Sequence, residues 1–102
     1  LRLDGHAVHT AYDGPAALVA AREFQPEAVV LDLGLPGIDG LQVAQALRAD
    51  PQTAQVTLIA ASGYGQASDI ERTTAAGFDH HLVKPVPLQA LRDALAAGRT
   101  PR

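Results

Sequence analysis

The sequence predicts an α/β fold in which a strand followed by a helix occurs four times, which gives a parallel sheet with helices on both faces. The first observation is a set of short strand-like runs that end abruptly in polar residues, glycine or proline; those at 28–31 and 57–61 are apolar, and the one at 80–83 is more polar at its start. The second is that a segment with apolar residues at helical spacing follows each run. In such sheets ligands bind at the edge where the strands end, near the point where the strand order reverses.

Length and composition restrict the classes of function. With 102 residues, 47% of them hydrophobic, the chain is long enough for one globular domain, which we assign to residues 1–98, followed by a tail at 99–102. The formal net charge of −3 and the scattered positions of the eight Lys and Arg residues argue against direct binding of nucleic acid. Without cysteine or an apolar run of membrane-spanning length, the chain is expected in the cytoplasm and away from membranes.

The first quarter of the chain is predicted to hold the end of a helix, an edge strand and a helix. Residues 1–5 are typical of a helix tail closed by Gly5, because glycine often ends helices in the left-handed conformation. The weak alternation of residues 6–11 favours a strand at the edge of a sheet. Asp13 is a candidate N-cap of the next helix, which Pro26 ends. The inward face of that helix is predicted to consist of Ala17, Ala20, Ala21 and Phe24.

The next strand leads to the first candidate functional residue. Residues 28–31 are consecutively apolar, which predicts a strand buried on both faces, and Asp32 follows before a loop rich in glycine and proline. A carboxylate at this place is held by a rigid element yet reaches solvent, as a nucleophile or metal ligand requires. Strands also end in aspartate because aspartate suits turns, so Asp32 alone does not identify a site.

Two further strand and helix pairs complete the chain. Asp39 is predicted to cap a helix that runs through Arg48, with Leu41, Ala44 and Leu47 on its inward face. The strand at 57–61 ends in Ser62, and residues 68–71 have the spacing of a capping box for a helix that Gly77 closes. The strand at 80–83 ends in Lys84, and Pro87 opens the last helix. That helix has Leu88, Leu91 and Leu95 on one face.

Three successive strands thus end in a polar side chain: Asp32, Ser62 and Lys84, the last being the only lysine of the chain. A carboxylate can attack a phosphoryl group while a hydroxyl and an ammonium group donate to its oxygens, which favours phosphoryl transfer. Taken singly, Ser62 has the alternative role of completing a turn, and Lys84 that of a solvated charge or the partner of an acid. Their convergence at one edge favours the functional interpretation.

The histidine pairs of the sequence do not predict a metal site. His80 and His81 are adjacent on a strand and therefore face opposite sides, and His6 and His9 also differ in facing. Neither pair has a cysteine or carboxylate at convergent spacing. Ser62 is preceded by alanines, so the Gly-x-Ser-x-Gly sequence of hydrolases is absent as well.

The motifs at 30–40, 61–64 and 76–85 resemble those of the receiver domain of two-component response regulators, and the resemblance covers essentially the whole chain. The sequences of these motifs are also similar to those of receivers attached to hybrid sensor kinases. The resemblance implies a flavodoxin-like, doubly wound parallel sheet with the strand order 2-1-3-4-5. It further implies a signalling domain and not an enzyme, with at most magnesium-dependent phosphorylation and dephosphorylation of itself.

The resemblance also implies roles for individual residues. Asp32 would accept a phosphoryl group from a histidine kinase or a phosphotransfer protein, and Ser62 and Lys84 would bind the phosphoryl oxygens. Asp32 and the backbone carbonyl of Gly34 would bind Mg²⁺. His81 stands where relatives carry an aromatic switch residue, which would act together with Ser62, and the peptide bond before Pro85 would be cis.

One departure from the family leaves two functions open. The resemblance begins at about the end of the family's first helix, so we expect its first strand, with the acidic pair that binds Mg²⁺, to be absent here. Since Mg²⁺ normally needs more than one carboxylate, the chain is either a phosphoacceptor switch or an interaction module that works without phosphorylation. The strands at 7–11 and 28–31 would then flank a vacant slot, which predicts marginal stability, a homodimer or a partner's strand in the slot.

Overall fold

The computed structural model describes residues 2–3, 5–11, 14–32, 40–63 and 67–98. Strands and helices alternate along almost all of this length, as the apolar pattern predicts. The elements are β1 (Arg2–Leu3), β2 (His6–Ala11), α1 (Gly14–Phe24), β3 (Ala28–Asp32), α2 (Gly40–Ala49), β4 (Thr57–Ser62), α3 (Ala67–Ala76), β5 (His80–Val83) and α4 (Leu88–Ala97). The four predicted pairs of strand and helix are therefore confirmed.

The strands form one sheet in the order β1-β2-β3-β4-β5, in which β2 to β5 are parallel. The predicted α/β class, a flavodoxin-like parallel sheet, is confirmed, but the expectation of a vacant slot between two strands is wrong. β2 pairs directly with β3, from Val8 opposite Ala28 to Ala11 opposite Leu31, so no slot separates these strands. The parallel strands follow chain order, as the order 2-1-3-4-5 without its first strand implies. β2 occupies the position beside β3 that the prediction left vacant.

Chain order decides which helices share a face of the sheet. Each step from β2 to β5 moves in the same direction, so right-handed connections place α1, α2 and α3 on one side. Their side chains meet one face of the strands in a core that includes Ala21, Leu47 and Phe78. α4 returns across the opposite face, where Ala94 and Leu95 pack with residues of β2, β3 and β4.

Small side chains dominate the interior. Ten of the twenty buried apolar residues in the described part of the chain are alanines, and several, such as Ala17, Ala28 and Ala60, are fully buried. The largest fully buried side chains are Leu31, Leu47, Leu58, Ile59 and Val29. Because alanine has only a methyl group, the helices and the sheet approach one another closely where these residues meet.

The start of the chain is a hairpin, so the predicted helix tail at residues 1–5 is wrong. Arg2 and Leu3 pair antiparallel with Ala7 and His6. Gly5, with φ +84, reverses the chain between the two strands. β1 therefore flanks β2 over these two residues, so the segment predicted as an edge strand is the second strand of the sheet.

Helix faces agree with the predictions except near the helix ends. Ala17, Ala20 and Ala21 of α1 are buried, whereas Phe24 is 67% exposed and stacks on His9 with ring centroids 5.8 Å apart. Leu88, the first residue of α4, is 54% exposed. Phe24 is the last residue of α1 and Leu88 is the first of α4. The buried residues of α2 are Gly40, Val43, Ala44 and Leu47, so Val43 was missed, and Leu41 is only partly buried.

Helix boundaries also test the predicted capping residues. Gly77 follows α3 with φ +116, and Pro87 is the N-cap of α4, as predicted. α3 begins at Ala67, so Ser68 stands within its first turn and not before it, which contradicts the capping box. The predicted caps Asp13 and Asp39 lie outside the described residues.

A polar network closes the end of the sheet where β4 and β5 begin. The Arg48 guanidinium, at the end of α2, donates to the carbonyls of Gly77 (3.0 Å), Ala54 (2.8 Å) and Val56 and to the Asp79 carboxylate (2.7 Å). The Asp79 side chain is completely buried and also accepts from the backbone N–H of Leu58 at 2.9 Å. This Arg48 network ties α2, the loop before β4 and the turn before β5 together.

Candidate functional site

Asp32, Ser62 and Lys84 lie at the edge of the sheet where the parallel strands end. Asp32 is the last residue of β3 and Ser62 the last of β4, while Lys84 directly follows β5. Asp32 stands opposite Ala61, and Ser62 stands opposite Val83. The register of the strands therefore brings the three residues to one edge, as expected for parallel strands of this order.

Asp32 and Lys84 are in direct contact. The Lys84 Nζ donates to Asp32 Oδ1 at 2.5 Å, with the Asp32 side chain 14% and the Lys84 side chain 37% exposed. The backbone N–H of Lys84 donates to the Ser62 carbonyl at 2.7 Å, which fixes the start of the lysine relative to β4. The peptide bond between Lys84 and Pro85 is cis, as predicted. The arrangement holds an ammonium group beside a carboxylate that solvent can reach.

Ser62 is buried at the end of β4, with 4% of its surface exposed. Its side chain belongs to a strand that is buried along its whole length, and Gly63 follows at the surface. A Cβ placed on Gly63 would meet no atom of the described residues within 4 Å. The described residues therefore leave space around Gly63, directly after β4.

His81 lies on the face of the sheet that carries α3. In the register of β4 and β5 it stands opposite Ala60, and Ser62, two positions further along β4, shares its face. The His81 Nδ1 lies 3.1 Å from the hydroxyl of the buried Thr73 in α3. His80 faces the other side, where its Nε2 donates to the Gly98 carbonyl at 2.7 Å. The opposite facing that argued against a metal site at these histidines is confirmed.

The described residues do not form a magnesium site by themselves. Asp32 is the one carboxylate at this edge of the sheet within the described ranges, and Lys84 already contacts it. No group of three His, Cys, Asp or Glu residues in those ranges is placed to hold a metal ion. Mg²⁺ binds near-octahedral sets of oxygen ligands, which this single carboxylate does not supply. Gly34, the other predicted ligand, lies outside the described residues.

Two cavities lie at the opposite edge of the sheet. One, of about 250 Å³, lies between the end of α1 and the loop before β4 and is lined by Gln25, Glu27 and Gln52 among others. The second, of about 480 Å³, lies between α2 and α3 beside Arg48 and Gly77. Neither is lined by Asp32, Ser62 or Lys84, so both are separate from the candidate site.

The sequence-based reasoning missed Thr73, Arg48 and Asp79, which make the polar contacts described above. Thr73 is 3% exposed, and a threonine on the inward face of a helix signals a hydrogen bond to the backbone. Its second partner, His81, could not be found in that way, because the contact depends on how α3 packs against β5. In the described part of the chain, none of the helices has the length and apolarity that crossing a membrane requires.

Comparisons with known proteins agree on one family. The model of the response regulator receiver domain matches residues 1–96. The transcriptional regulatory protein PrrA of Mycobacterium tuberculosis is 42% identical over 91 residues, which cover 89% of this chain and 38% of PrrA. The chain thus spans less than two fifths of the length of this curated relative.

Solved structures show the same likeness. One is the receiver domain of sensor histidine kinase PA1611 from Pseudomonas aeruginosa PAO1, crystallised with a magnesium ion coordinated in its active site cleft. It has a TM-score of 0.74 and 27% identity, covering 86% of this chain and 72% of that one. A response regulator structure from Chloroflexus aurantiacus has a TM-score of 0.72 and 28% identity, covering 84% and 74%.

Proposed function

This chain belongs to the response regulator receiver domain family, and on that premise we propose that it is a phosphoacceptor whose Asp32 is phosphorylated by a histidine kinase or a phosphotransfer protein. The observation that carries the proposal is the contact of the Asp32 carboxylate with the Lys84 ammonium group at the edge where Ser62 also lies. The domain acts as a switch, and any catalysis concerns only its own phosphorylation and dephosphorylation. Its setting is the cytoplasm.

The three side chains divide the chemistry of phosphoryl transfer. An oxygen of the ionised Asp32 carboxylate attacks the phosphorus of a phosphohistidine, the P–N bond breaks, and the imidazole leaves with the electron pair and takes up a proton. The Lys84 ammonium group, which holds Asp32 Oδ1 in the unmodified protein, donates to a phosphoryl oxygen as negative charge builds there. The Ser62 hydroxyl donates to a second oxygen. No general base is required, because the attacking carboxylate is already ionised.

The signal then passes to the surface formed by α3, β5 and α4. Movement of Ser62 toward the phosphoryl group opens space on the face that it shares with His81, and Ala60 opposite His81 is small enough to leave that space clear. Apolar side chains are exposed on all three elements: Ile70 (42%), Val83 (45%) and Leu88 (54%). A change in the conformation of His81, which lies between these elements, alters how the surface of α3, β5 and α4 binds another protein.

The fit of the site to Mg²⁺ bears on the second candidate function, an interaction module that works without phosphorylation. The likeness to a receiver crystallised with Mg²⁺ implies this cofactor, but the described residues supply one carboxylate and do not fit the ion on their own. That observation favours the alternative, an interaction module that keeps the fold and works without phosphorylation. Association of the chain with a second copy belongs to the same alternative and stays a prediction.

Intact mass separates the two functions. The chain is incubated with acetyl phosphate, with and without Mg²⁺, beside Asp32→Asn and the matched control Asp93→Asn, an exposed acid of α4. We expect one added phosphoryl group on the wild-type chain and on Asp93→Asn, with acetate as the leaving group, and none on Asp32→Asn. The absence of an adduct on the wild-type chain would exclude the switch and leave the interaction module.

A further inference from the structure

Thr73 is a buried polar residue of α3 whose single hydroxyl group has two partners. Its Oγ1 lies 3.0 Å from the Ile70 carbonyl oxygen one turn earlier and 3.1 Å from His81 Nδ1 on β5. The residue is 3% exposed, so water does not readily replace either partner. The contact with His81 is the one that joins two different elements.

Counting hydrogens determines the direction of both bonds. A hydroxyl group carries one hydrogen, and a backbone carbonyl can only accept. The Thr73 hydroxyl therefore donates to Ile70 and offers a lone pair to His81, whose Nδ1 must carry the hydrogen for the second bond to form. The structure thus assigns His81 a form that is protonated at Nδ1.

We propose that Thr73 is a positioning residue that holds His81 against α3, and that this hydrogen bond is released when His81 turns toward Ser62 after phosphorylation of Asp32. The proposal rests on the proposed function, which supplies the turn. Staggered side-chain conformations are about 120° apart, so the imidazole does not keep its hydrogen bond to Thr73 when χ1 changes. Thr73 accordingly biases the chain toward its unphosphorylated arrangement.

The neighbouring histidine provides an internal control. His80 stands next to His81 on β5 but faces α4, where its Nε2 donates to the Gly98 carbonyl at the end of that helix. His80 therefore fixes α4 by a similar hydrogen bond, on the face of the sheet opposite to that of Ser62. Loss of this bond is expected to affect folding stability without changing the conformation of His81.

The first part of the test is the protonation of His81, read from long-range ¹H–¹⁵N spectra of the imidazole rings. In the unmodified wild-type chain we expect hydrogen on Nδ1. Thr73→Val keeps the shape of the side chain and removes the hydroxyl, so the preference for Nδ1 is lost. Thr73→Ser restores it, and His80→Ala leaves it unchanged. A wild-type His81 that carries its hydrogen on Nε2 alone overturns the proposal without any variant.

The second part is the rate at which acetyl phosphate modifies each chain, followed by intact mass. A neutral hydrogen bond makes a modest net contribution to the free energy of the state that contains it. Removing this bond in Thr73→Val is therefore expected to speed phosphorylation roughly two- to tenfold. Thr73→Ser and His80→Ala should react at the wild-type rate. A side chain with a purely structural role would leave the rate unchanged or lower it when removed, and either result overturns the proposal.

The two proposals fail in different ways. A wild-type chain that gains no phosphoryl group refutes the proposed function, and with it the release of His81 on phosphorylation. A chain that gains the group while His81 keeps the hydrogen bond to Thr73 refutes only the role of Thr73. Spectra of the modified chain, recorded beside its mass, distinguish these results.

Discussion

The Arg48 network leads to a sharp prediction about stability. Arg48→Met keeps most of the aliphatic length of the side chain but removes the guanidinium group, which donates to three backbone carbonyls and to Asp79. The Asp79 carboxylate, with none of its side chain exposed, then retains the backbone N–H of Leu58 but loses its positive partner. A buried charge without its counter-charge is among the most destabilising changes a single substitution can make.

The structure permits an estimate of the loss. Removing one member of a buried ion pair costs about 3–5 kcal/mol, and the Arg48 and Asp79 side chains are 15% and 0% exposed. A domain of this size changes its Tm by roughly 4–8 °C per kcal/mol, so Tm should fall by at least ~12 °C. Most single domains are stable by about 5–15 kcal/mol. Arg48→Met therefore removes a large share of the free energy of unfolding.

Urea unfolding followed by circular dichroism measures the effect, with two companion variants. Arg22→Met removes another arginine that pairs with an aspartate, Asp50, but the Arg22 side chain is 58% exposed, so its loss should be far smaller. Arg48→Met combined with Asp79→Asn no longer buries a lone charge, since the amide oxygen still accepts from Leu58. The double variant should be more stable than Arg48→Met alone.

Two results would contradict this account of the network. One is a free energy of unfolding for Arg48→Met within about 1 kcal/mol of the wild type, the range of exposed pairs. The other is a double variant no more stable than Arg48→Met. That result would mean that the stability lost in Arg48→Met comes from the hydrogen bonds to the carbonyls or from packing.

Two other predictions concern the end of α1 and the acid that follows α2. Gln25 has φ +43, a conformation that costs a non-glycine residue energy, so Gln25→Gly should raise the free energy of unfolding by about 0.5–1 kcal/mol; a lower urea midpoint would contradict this. The backbone N–H of Gln52, followed by the Arg22 side chain, lowers the pKa of Asp50 below its usual value. Asp50 thus stabilises the fold above its usual pKa and loses this effect as the pH falls through the lowered value. Asp50→Asn should show a shallower fall of Tm below about pH 4 than the wild type, and equal slopes would refute the assignment.

The sequence predicted the elements and the edge of the sheet because these depend on local patterns. Consecutive apolar residues before Asp32 and Ser62 identify buried strands, and parallel strands bring their ends together whichever neighbours they have. The contact of Lys84 with Asp32 follows from that convergence. The roles of these residues in phosphoryl transfer stay predictions.

The errors have a common physical origin, since each depends on partners distant in the sequence. Gly5 has the left-handed conformation that ends helices and that also reverses hairpins, and only its pairing strand distinguishes the two. Nothing local in β2 and β3 shows that they are neighbours. Periodicity assigned Phe24 to a buried face, but in the structure it stacks on the His9 ring of β2 and stays 67% exposed. The Arg48 and Asp79 pair joins residues that are 31 positions apart.

The many alanines of the core give this fold an unusual mutational profile. Interiors built from large side chains are damaged chiefly by truncation, which leaves cavities. At Ala17, Ala28 and Ala60, each without exposed surface, glycine is the only smaller residue, and every other replacement has to force the helices and the sheet apart. Substitution by larger residues is therefore expected to be rare at these positions during evolution. Substitutions in the core are expected mainly at its few leucines, isoleucine and valines.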